Sequence, residues 1–351
     1  MSRIDNQLYL DDVTRTAQLD LPWERLNNKT ILLSGATGMI CSFLIDVLMF
    51  RNEAFQMGCS ILALTRDPEK AVLRATTAWR DAVQFVQCDL NNGIPPISYD
   101  VDYVIHAASN THPVAYATDP IGTIATNIIG TMNMLKFAAE KHAERCLFLS
   151  SVEIYGENKG DVEEFQEDYC GYIDCNTLRA GYPEGKRAGE TLCQAFIRQM
   201  GLDIVIPRLP RIYGPTMLDS DTKAISQFLK KGMNRENIVL KSEGNQLYSY
   251  SYVADAVSGI LYCLFLGENG EAYNVGDRGS NITLKELAGV IAAYSKKTVV
   301  YEIPGETEQA GFSKATKALL DGTKLKRLGW KPRFDILEGI TRTLEIMNST
   351  E

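Results

Sequence analysis

The apolar positions of this chain fall into short runs that are hydrophobic on both faces, alternating with longer stretches of helical period. TILLSG (30–35), SILALT (60–65), VQFVQCDL (83–90), DYVIHAAS (102–109), RCLFLSS (145–151) and LDIVIPRL (202–209) read as six strands. Strands apolar on both faces indicate a parallel sheet covered on both sides by helices. Helical spacing follows the first strand in MICSFLIDVLMFRN, precedes the fifth in TNIIGTMNMLKFAAEKH, and runs from about Gly181 to Met200 before the sixth. The pattern predicts an α/β fold built on a doubly wound parallel sheet.

Beyond residue 210 the rhythm loosens. Short strands at IVLK (238–241), AYNVG (272–276) and TVVYEI (298–303) mix with helices near 252–266, 283–295 and 335–348. Three regions follow: a polar N-terminal extension, 1–28, wrapping the surface; a dinucleotide-type domain, 29–209; and 210–351, mainly a smaller α+β lobe. About 250–270 of that last region returns to the larger domain. The lobe is expected over the C-terminal edge of the sheet, where doubly wound folds bind ligands.

Composition narrows the function classes. The 351 residues are 45% hydrophobic and 23% charged, ordinary for a globular protein. A net charge of −8 argues against a nucleic-acid-binding surface. No apolar run approaches a membrane span, and no charged-then-apolar leader opens the sequence. Eight cysteines without a CxxC pair, with only three histidines, provide no metal-ligand spacing. Free thiols in the cytoplasm are the expectation.

Candidate chemistry begins at the first strand's end, where Gly35-Ala-Thr37-Gly38-Met39-Ile40-Cys41 leads into a helix. Glycines in such a turn let backbone N–H groups approach a pyrophosphate at the helix N-terminus. Cys41 stands where a third glycine is usual. The second strand ends in Thr65-Arg66-Asp67, where an NAD site would offer a carboxylate to the ribose. Arg66 suits a 2′-phosphate, which leans the expectation from NAD toward NADP, against the alternative of a solvated surface arginine.

Tyr182 and Lys186 are four residues apart on one helical face, after a strand ending in Ser150-Ser151-Val152-Glu153. An ammonium there would lower the tyrosine pKa, and a serine hydroxyl would share the same substrate oxygen. His106 reads as a packed strand residue, and Tyr248, Tyr250 and Tyr252 as a strand packing the lobe.

On GATGMI (35–40), CDL (88–90), HAAS (106–109), NIIGTMNML (127–135), SSVEIYG (150–156), YPEGK (182–186), RIYGP (211–215) and YVADAV (252–257), the chain resembles the extended short-chain dehydrogenases of the NAD-dependent epimerase/dehydratase family. Within that family, residues 167–193 are most similar to the UDP-glucuronate decarboxylases. The resemblance implies a Rossmann-like fold and a homodimer joined through helices at 120–142 and 181–200. It implies a nucleotide sugar as substrate, oxidised transiently at C4. Tyr182 would take the proton of the 4-hydroxyl, Lys186 would hold the nicotinamide ribose, and Ser151 would orient the same hydroxyl. Asp89 and Leu90 would flank adenine, Ala107, Ala108 and Ser109 would line the cofactor, and Asn127 would support the site. Glu153 would be a second acid/base.

Departures from the family pattern lie on the substrate side. Val152 replaces the aspartate acid of the dehydratases, and Lys317-Ala-Leu-Leu-Asp321 replaces an arginine-bearing RxPD segment. Tyr248 and Thr216 stand where arginines are usual, Arg211 where an asparagine is usual, and Lys223 at a diphosphate-binding arginine. Arg211, Lys223 and Tyr248 are therefore the candidate substrate contacts. A 4-epimerase is the leading expectation, with decarboxylase or dehydratase chemistry as the alternative and an NADPH-dependent carbonyl reductase further behind. A non-catalytic dinucleotide sensor would not need Ser151, Tyr182 and Lys186 together.

Overall fold

A computed structural model describes residues 2–111, 113–302 and 315–350; Ile303, the end of the TVVYEI run, lies outside the described residues. Seven strands carry the first two-thirds of the chain: β1 (Thr30–Ser34), β2 (Ser60–Thr65), β3 (Val83–Gln87), β4 (Tyr103–His106), β5 (Arg145–Phe148), β6 (Ser150–Ser151) and β7 (Ile204–Leu209). Seven more follow: β8 (Arg211–Tyr213), β9 (Ile238–Leu240), β10 (Leu247–Tyr252), β11 (Ala272–Asn274), β12 (Asn281–Thr283), β13 (Val299–Tyr301) and β14 (Lys317–Ala318).

The large sheet runs β11-β7-β5-β4-β1-β2-β3, with β6 also on β7, and every pair in it is parallel. Strand order reverses between β1 and β4, which opens a crevice at their carboxyl ends. Successive strand residues face opposite sides, so two cores form. Ile31, Leu33, Ala63 and Ile105 join one, and Leu32, Leu62, Leu64 and Val104 the other.

The helices named in the argument are α1 (Gln7–Ala17), α2 (Met39–Phe55), α3 (Pro68–Arg74), α4 (Pro113–Thr118), α5 (Pro120–Ala125), α6 (Thr131–Glu140), α7 (Gly181–Met200), α8 (Ala224–Met233), α9 (Val253–Leu266) and α10 (Leu284–Ser295). Helices α2 and α9 pack together with α1, whereas α6 and α7 pack on each other beside β4 and β5.

Two local readings change. The stretch 1–28 is no loose wrapping: α1 buries Tyr9, Val13 and Ala17 in the core, and its buried Asp12 accepts from Tyr252 at 2.7 Å and from Arg342 at 2.6 Å. Strand β11, expected in the smaller lobe, instead extends the large sheet through Ala272–Ile206 and Asn274–Arg208 pairing. The short sheets β12-β10-β14 and β13-β9 pack with α8 and α10, and α8, β9, β10 and Leu284 of α10 face the crevice. Among the described residues no helix is long and apolar enough to cross a membrane.

Candidate active site

A cavity of about 1550 Å³ runs along the carboxyl ends of the sheet strands and under the smaller sheets. That volume exceeds what one small ligand requires and leaves room for two side by side. Its lining includes almost every site residue predicted from sequence: Gly35, Thr37, Gly38, Met39, Ile40, Arg66, Asp89, Leu90, Ala107, Ala108, Ser109, Ser151, Glu153, Tyr182, Lys186, Arg211, Lys223 and Tyr248. Asn127 is fully buried just behind it.

The glycine turn is fixed from beneath. Gly35 adopts φ +73°, and a Cβ there would lie 2.9 Å from both Ala107 C and Ala108 N, so only glycine fits. Ser34 Oγ accepts from the N–H groups of Ala107 (3.1 Å) and Ala108 (3.2 Å) and sits 2.7 Å from His106 Nδ1. His106 Nε2 meets Thr131 Oγ1 at 3.0 Å, and Thr131 donates on to Asn127 O at 2.6 Å. Burial, then the nearby Lys186 charge, pushes His106 down to about 3, so it is a neutral strut between strand and helix. Gly38 caps α2 without a side-chain hydrogen bond, which leaves first-turn N–H groups for an anion. These features fit a dinucleotide pyrophosphate. Cys41, in place of a third glycine, is buried against Ser34 O, and its thiol is pushed up to about 12.

Asn127 lies in a single π-helical turn, Thr126–Gly130, between α5 and α6. Such bulges re-aim side chains at functional sites. Here Asn127 Oδ1 accepts from Ser109 Oγ at 3.0 Å, and Gly185 of α7 packs against its side chain.

On the opposite wall, Ser151 and Tyr182 both face the cavity, Ser151 Oγ accepts from Glu153 N at 3.2 Å, and Lys186 Nζ donates to Leu149 O at 2.8 Å. Burial pushes Tyr182 up to about 12, with Ser151 pulling the other way, and pushes Lys186 down to about 8. The expected coupling, in which the lysine lowers the tyrosine pKa, is therefore absent from the chain alone. Lys186 is turned to the Leu149 carbonyl and the Phe148 ring, and desolvation governs both groups.

Glu153 is not isolated in the cavity. Arg179 Nη2 lies 2.8 Å from Glu153 Oε2, and Arg211 Nη2 lies 3.7 Å from Oε1. Each guanidinium is stacked on an aromatic ring, Arg179 on Tyr116 at 4.6 Å and Arg211 on Tyr248 at 3.4 Å. Tyr116 in turn lies 5.3 Å from the Tyr182 ring. Among the described residues, Nη1 of both arginines is buried without a hydrogen-bond partner. Sequence reasoning missed Arg179, Tyr116 and Ser34. The only local signal was Arg179 lying three residues before Tyr182, because Tyr116 and Glu153 reach it from distant segments. Lys223 ends on Asp221 (2.9 Å) and Thr111 (3.4 Å), so its charge is locally balanced. Arg66 is exposed at the far end of the cavity.

Residues 31–276 match the NAD dependent epimerase/dehydratase family. The chain is 31% identical over 317 residues to UDP-glucuronic acid decarboxylase 5 of Arabidopsis thaliana, covering 90% of this chain and 88% of that protein. In fold it resembles the UDP-glucose 4-epimerase of Thermotoga maritima solved with UDP-glucose (TM-score 0.75, 22% identity, 92% of this chain and 99% of that one). It equally resembles UDP-glucuronic acid 4-epimerase from Bacillus cereus in complex with UDP-glucuronic acid and NAD (TM-score 0.75, 20% identity, 92% and 100%).

Proposed function

This chain belongs to the NAD dependent epimerase/dehydratase family, and from that premise we propose that it is a 4-epimerase of a nucleotide-linked hexose or hexuronic acid. It is an enzyme, and its hydride carrier is a nicotinamide dinucleotide. The observation that carries the reading is the convergence of Ser151, Tyr182 and Lys186 on the wall of a cavity that begins at the Gly35–Gly38 turn.

The dinucleotide, which the Gly35–Gly38 turn and Lys186 would hold, would supply a reversible hydride acceptor for the sugar C4. Tyr182 takes the proton of the 4-hydroxyl, and Ser151 holds that oxygen in line with the phenol. Lys186, held on the Leu149 carbonyl, binds the nicotinamide ribose. Gly35 to Ile40 seat the pyrophosphate, Asp89 and Leu90 border the adenine, and Ala107 to Ser109 line the nicotinamide half. Asn127 holds Ser109. Arg211, Tyr248 and Lys223 contact the sugar nucleotide, joined by Arg179.

Glu153 favours epimerisation over chemistry that needs a second proton donor. With both oxygens engaged by guanidinium groups, it serves as a fixed negative charge between Arg179 and Arg211. Decarboxylation is the second reading. It is favoured by the Arabidopsis relative's name and by two arginines, each with a free Nη1, able to hold a sugar carboxylate.

A second copy is expected to pair through residues 120–142 and 181–200, where Ile121, Ile124 and Ile129 are exposed. A monomer in solution scattering would remove that element. Buried free thiols suit a reducing cytoplasm.

The test is a proton NMR time course with UDP-glucuronate and added dinucleotide. A product hexuronate with inverted C4 supports epimerisation, and a pentose with two C5 protons supports decarboxylation. Tyr182→Phe is expected to lower turnover by about a hundredfold or more while dinucleotide binding persists. Near-normal turnover in that variant overturns the mechanism.

A further inference from the structure

We propose that the adenosine end of the cavity is a 2′-phosphate site, so that this chain selects NADP over NAD. The inference rests on the dinucleotide reading above and on none of its sugar chemistry.

Three cations spaced four residues apart, Arg66, Lys70 and Arg74, start at the end of β2 and run along α3. All three line the cavity together with Thr37 of the phosphate turn and with Asp89 and Leu90 after β3. The i, i+4 spacing sets Lys70 and Arg74 on one helical face. Glu69, the acid inside α3, is not on that wall.

An NAD site needs a carboxylate at this strand end to accept from the ribose 2′-hydroxyl. Two carboxylates are near enough in sequence, and each already accepts a hydrogen bond from its own segment. Asp67 caps α3, accepting from Lys70 N at 3.1 Å, and its other oxygen pairs with Lys70 Nζ at 3.1 Å. Asp89 accepts from Asn91 N at 3.0 Å at the start of its own helical turn. Arg66 has no hydrogen-bond or ion-pair partner among the described residues, and its side chain is exposed at the cavity edge.

The cations therefore outnumber the acids on this wall, and each acid has a partner within the chain, Asp67 on Lys70 and Asp89 on Asn91 N. A planar guanidinium fork engages a phosphate through two parallel hydrogen bonds. Arg66 supplies that fork, and Lys70 adds a point charge by exchanging Asp67 for the phosphate. Arg74 is the positioning residue. Its Nε donates to Thr37 O at 2.7 Å and its Nη2 to Thr216 O. It thereby ties α3 to the glycine turn and holds the pyrophosphate and 2′-phosphate positions at a fixed separation.

The experiment is calorimetric titration of the purified full chain, without sugar, using 2′,5′-ADP against 5′-AMP and NADPH against NADH. The 2′-phosphorylated member of each pair is expected to bind about tenfold tighter or better. Arg66→Ala combined with Lys70→Ala is expected to bring each pair to equal affinity, while 5′-AMP binding is retained. Equal affinities in the unmodified protein, or a preference that survives the double substitution, overturn the assignment. Failure of the epimerase reading leaves these titrations untouched. Absence of binding by every nucleotide overturns the dinucleotide reading and this inference together.

Discussion

Lys186 Nζ donates to the carbonyl of Leu149, the single residue between β5 and β6, at 2.8 Å. Interrupting the strand there frees one carbonyl from the ladder, and the buried ammonium takes it. The ammonium is otherwise held over the Phe148 ring at 4.8 Å. The arrangement fixes the lysine's position at a cost, because burial lowers its pKa from 10.5 to about 8.

That cost has a pH signature. Below pH 8 Lys186 is charged in both folded and unfolded chains, and the full penalty of burying the charge is present. Between about pH 8 and 10.5 the unfolded chain binds the extra proton, so stability contributed by this residue rises with pH. Urea denaturation of the unmodified protein and Lys186→Met at pH 7 and pH 10 isolates the effect. The difference is expected to move in favour of the unmodified protein by about 3 kcal/mol from the lower pH to the higher. A difference independent of pH would mean that the ammonium is not desolvated.

Gly35→Ala tests the phosphate turn. The substitution forces a side chain into φ +73° and against the backbone of Ala107 and Ala108, which a rotamer change cannot relieve. The loss of stability is expected to be about 2 kcal/mol or more, read as a lower Tm. Dinucleotide affinity should fall with it. Unchanged melting and unchanged affinity would show that Ala107 and Ala108 do not back this turn tightly.

Thiol chemistry reports on the packing of both cores. Cys41, Cys59, Cys88, Cys146, Cys193 and Cys263 are buried, whereas Cys170 and Cys175 are exposed. A disulfide reagent at pH 8 should therefore label Cys170 and Cys175 quickly in the native protein and all eight after denaturation. Rapid native labelling of Cys41 would contradict the placement of α2.

Strands β1, β2, β4, β5 and β7 are legible in sequence because burial on both faces writes them as apolar runs, the edge strand β3 because Val83, Phe85 and Val86 still mark it, and α7 because of its helical spacing. What escapes is whatever depends on distant partners. Strand β11 has only three residues, and its place in the large sheet is set by β7, far upstream. Helix α1 is diluted by buried polar side chains such as Asp12 and Thr16, whose partners belong to other segments. The Ser34–His106–Thr131 strut likewise joins three elements, so no spacing announces it. In the site, Ser151, Tyr182 and Lys186 were marked by strand end and helical spacing, whereas the Arg179–Tyr116 stack required the folded chain.

The Arg179–Glu153–Arg211 cluster separates the two catalytic readings. Glu153→Gln keeps the shape of the side chain and removes the negative charge between the guanidinium groups. If Glu153 only positions Arg179 and Arg211, the substitution frees them to bind an anionic substrate in other poses. KM is then expected to change while kcat stays within about tenfold, and NMR still shows the C4-inverted product. If Glu153 instead handles a proton, kcat falls by about a hundredfold to ten-thousandfold with KM little changed. The second outcome would sink the positioning role and move the protein toward decarboxylation. Arg179→Lys is the companion measurement: a lysine keeps the charge but loses the flat stack on Tyr116 and the second N–H. Because Tyr116 touches Tyr182, loosening that stack is expected to lower kcat through the phenol's position as well as raise KM.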